Sequence, residues 1–380
     1  MVSGMGKRAD VDAIVVGGGL MGAATAWALA GRGRSVVLME AHEFGHKGGS
    51  SHGSARIFRR AYPDPMYVKL TGKAGELWRE LEHQTGEQLL TLTGGLDHGA
   101  SRGPKALTDV LKASRVQAEL LDQTEAQARW PGMVFDGPVM FHPEAGVIDA
   151  ERAVHAMIKQ ARADGALVRE NAPVHKIELA DDLAWVHTRE ESWTATTVVS
   201  AAGAWTTDLL AGLVTLPPLR VTQESVFHFG LADPSVEWPT FIYRDGVAGN
   251  VTFYGVPAGR DGGRPGVIKI GEHENGTVTT ADTRTGTIDP AARQRVVDYV
   301  TKRLPGLEAG PFNEASCLYT WTQSEDWVLD RYGNIVVCSP CSGHGAKFAP
   351  LVGQLTADLA TGERLETPLA KRFSLRTHLH

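Results

Sequence analysis

Residues 13–22 read AIVVGGGLMG and residues 36–40 read VVLME. Ala13–Val16 is rich in β-branched side chains, Met21–Leu29 has a helical pattern, and between them the glycines fall as Gly17-x-Gly19-x-x-Gly22. This order predicts a buried strand, a tight turn and a helix, followed by a second buried strand, Val36–Met39, that ends in the acid Glu40 about 20 residues on. Each part has a separate physical task. Gly17 permits the turn, Gly19 lets a pyrophosphate approach the main chain, Gly22 lets helix and strand touch, and the helix N-terminus offers unpaired N–H groups to phosphates. Glu40 is placed to accept both hydroxyls of an adenosine ribose. The pattern alone fits FAD and NAD equally.

Working outward, the same apolar stretch from Ala13 to Gly31, preceded by Lys7 and Arg8, also has the charge order of a secretory leader. Its division into a β-branched run, a glycine cluster and a helical run argues for a folded unit instead. The chain has 380 residues, 42% hydrophobic and 22% charged, enough for at least two lobes or one elaborated domain. The 43 glycines point to many close backbone approaches. With 38 basic and 44 acidic residues the net charge is −6, without a basic block, so nucleic acid is not an expected partner. Three cysteines, all beyond residue 316, exclude a disulfide scaffold and fit a reducing, cytoplasmic compartment. No membrane association is expected.

Later segments favour FAD. After the helix Glu151–Ala163, Leu167-Val168 and Val174–Ile177 read as strands of a returning unit, with Val174 a cofactor contact. Thr197–Gly203 is another buried strand ending in small residues, beside which a flat cofactor can lie. A second such strand this far from the first suits a flavoprotein better than a compact NAD domain.

Three segments carry chemistry. Residues 48–62, GGSSHGSARIFRRAY, join a Gly/Ser loop to Arg56, Arg59 and Arg60; guanidinium groups pair with carboxylates, and a helical run would put Arg56 on one face with Arg59 or Arg60. Residues 266–276, GVIKIGEHENG, alternate as a strand, directing Lys269 away from its apolar neighbours and into a cavity; His273 follows. Residues 317–322, CLYTWT, precede a buried strand Asn334–Val337, the turn CSGHGAKFAP at 341–350 and a helix over 351–359. Gly343 and Gly345 are expected to free backbone N–H groups there, with Lys347 as a point charge. Cys338-x-x-Cys341 lacks a second cysteine pair, so no metal is expected.

Taken in order, VVGGGLMG with Glu40, GSSHGSARIFRRAY, TGGL at Thr93–Leu96, VVSAAGAW, VIKIGEH, CLYTWT and SGHGAKF resemble the monomeric sarcosine oxidase and N-methyltryptophan oxidase family of D-amino-acid-oxidase-like flavoproteins. The resemblance implies FAD joined covalently through the Cys317 sulfur, a substrate carboxylate held by Arg59 and Lys347, an oxygen-activating Lys269, and His273, Arg56 and Tyr319 lining the same cavity. It further implies an oxidase of secondary amines bearing a carboxylate, acting as a monomer on a small-molecule amine and O2 to give an imine and H2O2. A biosynthetic oxidase of a cyclic imino acid, or a dehydrogenase passing electrons to a quinone, remains open. The chain departs from the family after Thr320: residues 322–327 read TQSEDW where Thr-Pro-Asp is usual, and Trp321 and Trp327 are expected to narrow or line an aromatic pocket. The implied fold is α/β, with a Rossmann-type FAD domain (1–90, 146–219, 316–380) interleaved with an antiparallel-sheet substrate domain (91–145, 220–315).

Overall fold

The computed structural model of the protein describes residues 9–180, 182–246 and 251–379. Lys7 and Arg8, on which the leader reading turns, lie outside them; the apolar stretch that follows is a strand, a turn and a helix built into a core. Val11–Val16 sits between Val36–Met39 and Ser192–Ser200, all parallel, with Leu167–Arg169 beyond the first and Ile335–Ser339 beyond the second. Their register aligns Val16 with Met39 and with Ser200. The glycine turn, Glu40 and Ala201 therefore leave the sheet at one carboxyl edge, where open parallel sheets bind ligands. Antiparallel strands Lys176–Ala180, Leu183–His187 and Val328–Tyr332 complete this sheet.

The helix Leu20–Gly31 is almost wholly buried, between the sheet and the helices Ala150–Ala163 and Ala349–Ala360. Its small residues make this possible: a Cβ on Gly353 would lie 2.5 Å from the main chain of Ala24.

A second, nine-stranded and mostly antiparallel sheet has Arg220–Gly230 next to one edge, between Val267–His273 and the edge strand Asn313–Trp321. Its core, rich in Phe and Tyr, packs on the helix Pro290–Arg303. The expected crossing at 315–316 falls within the strand Asn313–Trp321, which bonds to Arg220–Gly230 along its whole length. In a third sheet Gly146–Ile148 pairs with Arg56–Phe58 on one side and Leu90–Leu92 on the other. Arg56 thus lies on a strand, not a helix, because residues 56–58 find an antiparallel partner in residues 146–148.

Candidate active site

The glycine turn is tighter than any other residue would allow. Gly17 has φ +103°, and a Cβ there would lie 2.6 Å from Ala201 O; a Cβ on Gly22 would lie 1.7 Å from Gly17 O. Gly19 caps the following helix without a side-chain hydrogen bond. Glu40, 6% exposed, accepts from the Gly18 N–H at 2.7 Å and the His42 N–H at 3.0 Å, one bond on each carboxylate oxygen. An ionised carboxylate has about four acceptor positions, so two remain, with His46 Nε2 3.5 Å from one of the oxygens.

From this turn a cavity of about 1720 Å³ runs between the two sheets. That exceeds the ~300–1,000 Å³ of a usual small-molecule pocket, leaving room for a dinucleotide and a substrate together. Its lining includes Gly17, Gly19, Glu40, Val174, Ala201–Gly203, Arg56, Arg59, Lys269, His273, Cys317, Tyr319, Gly343, Gly345 and Lys347, so residues singled out in the sequence meet in one space. Gly22 stands just behind, at the helix–strand contact.

Arg56 holds the Gly/Ser loop: its guanidinium donates to the carbonyls of Ser50 at 3.0 Å, His52 at 2.8 Å and Ala55 at 2.9 Å. Arg60 turns away to Glu144, 3.1 Å distant, and does not line the cavity. Arg59 and Lys347 share a platform the sequence did not reveal. The Tyr62 ring lies 4.7 Å from the Arg59 guanidinium carbon and 5.7 Å from Lys347 Nζ, and its hydroxyl is 3.1 Å from His344 Nδ1. Lys347, 5% exposed, donates to His344 O at 2.6 Å. Burial and the neighbouring Arg59 hold its ammonium well below the usual lysine range. Two cations crowded against one ring are costly until an anion joins them.

Lys269, also 5% exposed, donates to Ala55 O at 2.8 Å and to Asp261 at 3.2 Å. Burial and the charge of Arg56 draw it down to about 8, against the support of Asp261. Burial alone would raise Asp261, but the Lys269 ammonium and the Ser54 N–H at 2.7 Å outweigh it and hold the carboxyl below its usual range. Asp261, distant in sequence from the Gly/Ser loop, carried no local signal. His273 packs 5.3 Å from the Trp321 ring and 6.1 Å from Tyr319. Burial and the cations around it bring His273 down to about 4, so it is neutral near pH 7. Tyr319 is pushed far up by burial, as is Tyr254, another cavity residue the sequence reading missed.

The pattern of the family described as FAD dependent oxidoreductase (DAO) matches residues 12–359. The chain belongs to that family. It is 32% identical over 370 residues to a monomeric sarcosine oxidase of Bacillus sp. (strain NS-129), covering 93% of this chain and 94% of that one. It is 31% identical over 366 residues to an N-methyl-L-tryptophan oxidase of Yersinia pestis (strain Pestoides F), covering 92% and 94%. Among solved structures, the open form of NikD, an unusual amino acid oxidase essential for nikkomycin biosynthesis, superposes with a TM-score of 0.85 at 26% identity over 96% of this chain and 97% of that one. An L-proline dehydrogenase from P. horikoshii shares the fold, with a TM-score of 0.82 at 22% identity and coverage of 98% and 100%.

The residues of this flavoenzyme fit FAD: the glycine cradle leaves no room for a Cβ, the helix begins on Gly19 with only its Leu20 N–H taken, by Ser51 Oγ at 3.0 Å, and Glu40 keeps acceptor capacity. At the other end Gly343, φ +68°, makes room, since a Cβ there would lie 2.6 Å from the Tyr319 ring and 2.8 Å from His273. Gly345 does not free its N–H as expected. That group donates to Cys341 O at 3.0 Å, and the glycine is required because a Cβ would strike Pro340 O at 1.9 Å. The expected aromatic pocket is also corrected. Trp327 is fully buried in the core, stacked on Phe373, and Trp321 stands behind His273 with its Nε1 donating to Thr222 at 2.7 Å; neither lines the cavity. The unusual 322–327 segment is tied down by Asp326, which accepts from Tyr67 and Arg372.

Cys317 is buried, and burial raises its thiol, while Arg56 and Lys269 pull it back. Cys341 accepts from the Thr320 N–H at 3.3 Å, and Cys338 is packed in the core. Among the described residues no His, Cys, Asp and Glu group is placed to hold a metal ion, and no helix is long and apolar enough to cross a membrane.

Proposed function

We propose that this flavoenzyme is an oxidase of secondary amines carrying a carboxylate, sarcosine or another N-methyl amino acid, acting as a cytoplasmic monomer. The supporting observation is the convergence of a buried ammonium, Lys269, and a paired-cation platform, Arg59 and Lys347 on Tyr62, upon the cavity that contains the glycine cradle. When bound, FAD supplies the redox chemistry, accepting a hydride equivalent from the amine and giving its electrons to O2 as H2O2, while the imine product hydrolyses. Gly17, Gly19, Gly22, Glu40, Val174, Gly343 and Gly345 shape its seat, and Cys317 anchors it through sulfur. Arg59 and Lys347 hold the substrate carboxylate. His273, neutral, and Tyr319 orient the amine, and Arg56 keeps the Gly/Ser loop in place. Lys269 supplies a fixed positive charge for the anion formed when O2 takes its first electron.

A second reading is a biosynthetic oxidase of a cyclic imino acid or modified amino acid; the likeness to NikD, an unusual amino acid oxidase essential for nikkomycin biosynthesis, supports its biosynthetic part. Measuring H2O2 release over a panel of N-methyl and cyclic amino acids separates the two. Turnover of sarcosine or another N-methyl amino acid carries the first, turnover confined to cyclic substrates carries the second, and flavin bleaching without peroxide would make the protein a dehydrogenase. For the anchor, the acid-precipitated wild type should stay yellow and Cys317→Ser should release its flavin. A colourless wild-type pellet ends that claim.

A further inference from the structure

At its substrate end the cavity is lined by more cationic side chains than one carboxylate uses, with Glu274 and Glu325 among them. Besides Arg59 and Lys347, its lining includes Arg102 and Arg244. The fold brings these two together: Gly95–His98 runs parallel to Thr240–Arg244, with His98 beside Tyr243. The turn that follows folds back, and the Ser101 N–H donates to Arg244 O at 3.3 Å. Gly99, φ +99°, permits this return, since a Cβ there would lie 2.4 Å from Arg244 O.

Arg102 is held from behind. Its Nε donates to Asp97, which is 3% exposed and does not line the cavity. Its Nη2 is buried with no acceptor. That atom has almost no exposed surface and does not itself reach the cavity; the side chain as a whole is 14% exposed, and this remaining edge of the guanidinium is what a ligand's acceptor can meet. The other charges on this part of the lining are accounted for. Arg244 faces Glu325, which is itself opposed by Glu274, and Arg372 is bound to Asp64 and Asp326. His273, in the middle, senses Arg59, Lys347, Arg102 and Arg244 together.

We infer that Arg102, flanked by Arg244, forms a second anion subsite, and that the substrate is a secondary amine with two acidic groups, one carboxylate on Arg59 and Lys347 and the other on Arg102. This deepens the proposed function and rests on its placing of the first carboxylate. The fork geometry of Arg102 suits a carboxylate, and Asp97 fixes it in advance, so little entropy is lost on binding.

The test uses the holoenzyme and two readouts. Flavin absorbance titrated without turnover should show glutarate binding about tenfold or more tighter than valerate, the chain-matched monocarboxylate. In turnover, N-methylaspartate and N-methylglutamate should exceed N-methylalanine in kcat/KM by a similar factor. Arg102→Gln combined with Asp97→Asn, which strands no buried carboxylate, should bring the glutarate-to-valerate ratio to about one. Should that pair fail to fold, Arg102→Lys keeps a charge against Asp97, loses the fork and should still lose most of the preference. Equal binding of the two acids by the wild type, or an unchanged ratio in the variants, overturns the subsite. Preference for N-methyllysine overturns it in favour of Glu274 and Glu325. If no N-methyl amino acid bleaches the flavin while glutarate keeps its Arg102-dependent advantage, the amine-oxidase reading fails and the subsite stands.

Discussion

The glycine turn at Gly17–Gly22 presents to the cavity main-chain atoms from one short stretch, whereas the opposite end of the same cavity presents side chains delivered from points as distant as Arg59 and Lys347. The first depends on absent atoms: a Cβ on Gly22 or Gly17 meets backbone that cannot retreat. The second depends on charges held against their solvation preference: Lys269 and Lys347 are each 5% exposed, and Arg59 and Lys347 share one aromatic ring. A backbone site is specified by spacing, so it fails abruptly when one methyl group is added. A side-chain site is specified by tertiary assembly, so its members fail one function at a time.

The sharpest way to break the first half of that contrast is Gly22→Ala. The added carbon would lie 1.7 Å from Gly17 O, and relieving the clash would open the turn. The variant should lose at least about 3 kcal/mol of stability and most of its FAD. Gly137→Ala is the control, because nothing lies within 4 Å of the added carbon, and its change should stay within about 0.5 kcal/mol. Melting temperature and flavin content read both. A Gly22→Ala protein with normal flavin would show that the cradle is not closed as described.

The same contrast explains what was legible in the sequence. The strand, turn, helix and Glu40 were, because each is fixed by neighbours within a few tens of residues. The positions of Lys269 and His273 were, because strand alternation and the resemblance agreed. Tyr62, Asp261 and Arg102 were not, since their partners, Lys347, Lys269 and Asp97, are defined by packing or by a turn with no motif. The arginine run misled for a related reason. A helix was compatible with its composition, but residues 146–148 supply a strand partner that local pattern cannot show. Gly345 misled because a glycine before a helix has two uses, and here close approach to Pro340 O decides.

Lys269→Met tests the second half. In the proposed oxidase the ammonium would stabilise negative charge that appears only when O2 is reduced, and preorganised charge in a site with little water commonly contributes several kcal/mol. Reoxidation by O2 should slow about a hundredfold, while anaerobic flavin reduction by substrate changes far less. Stopped-flow traces of the two half-reactions compare them directly. Equal losses in both would make Lys269 a packing residue and merge the two roles that the site keeps apart.

The smallest expected effect belongs to Asp261, the carboxylate behind Lys269. Lys269 sits near 8, drawn down by burial and by Arg56 and supported by Asp261. Below that value the ammonium is charged, and above it the charge is lost, so the reoxidation rate should fall as pH rises through about 8. Asp261→Asn removes the anion that supports the charged form, so the fall should move to lower pH, by about one unit. At pH 6 the variant should still reoxidise at nearly the wild-type rate. The substitution is also discriminating. An asparagine oxygen can still accept from the Ser54 N–H, now 2.7 Å from Asp261, so the loop that Asp261 braces keeps its bond. If Asp261 only braces that loop, the pH profile will not move; if it sets the charge on Lys269, the profile shifts while flavin reduction by substrate does not.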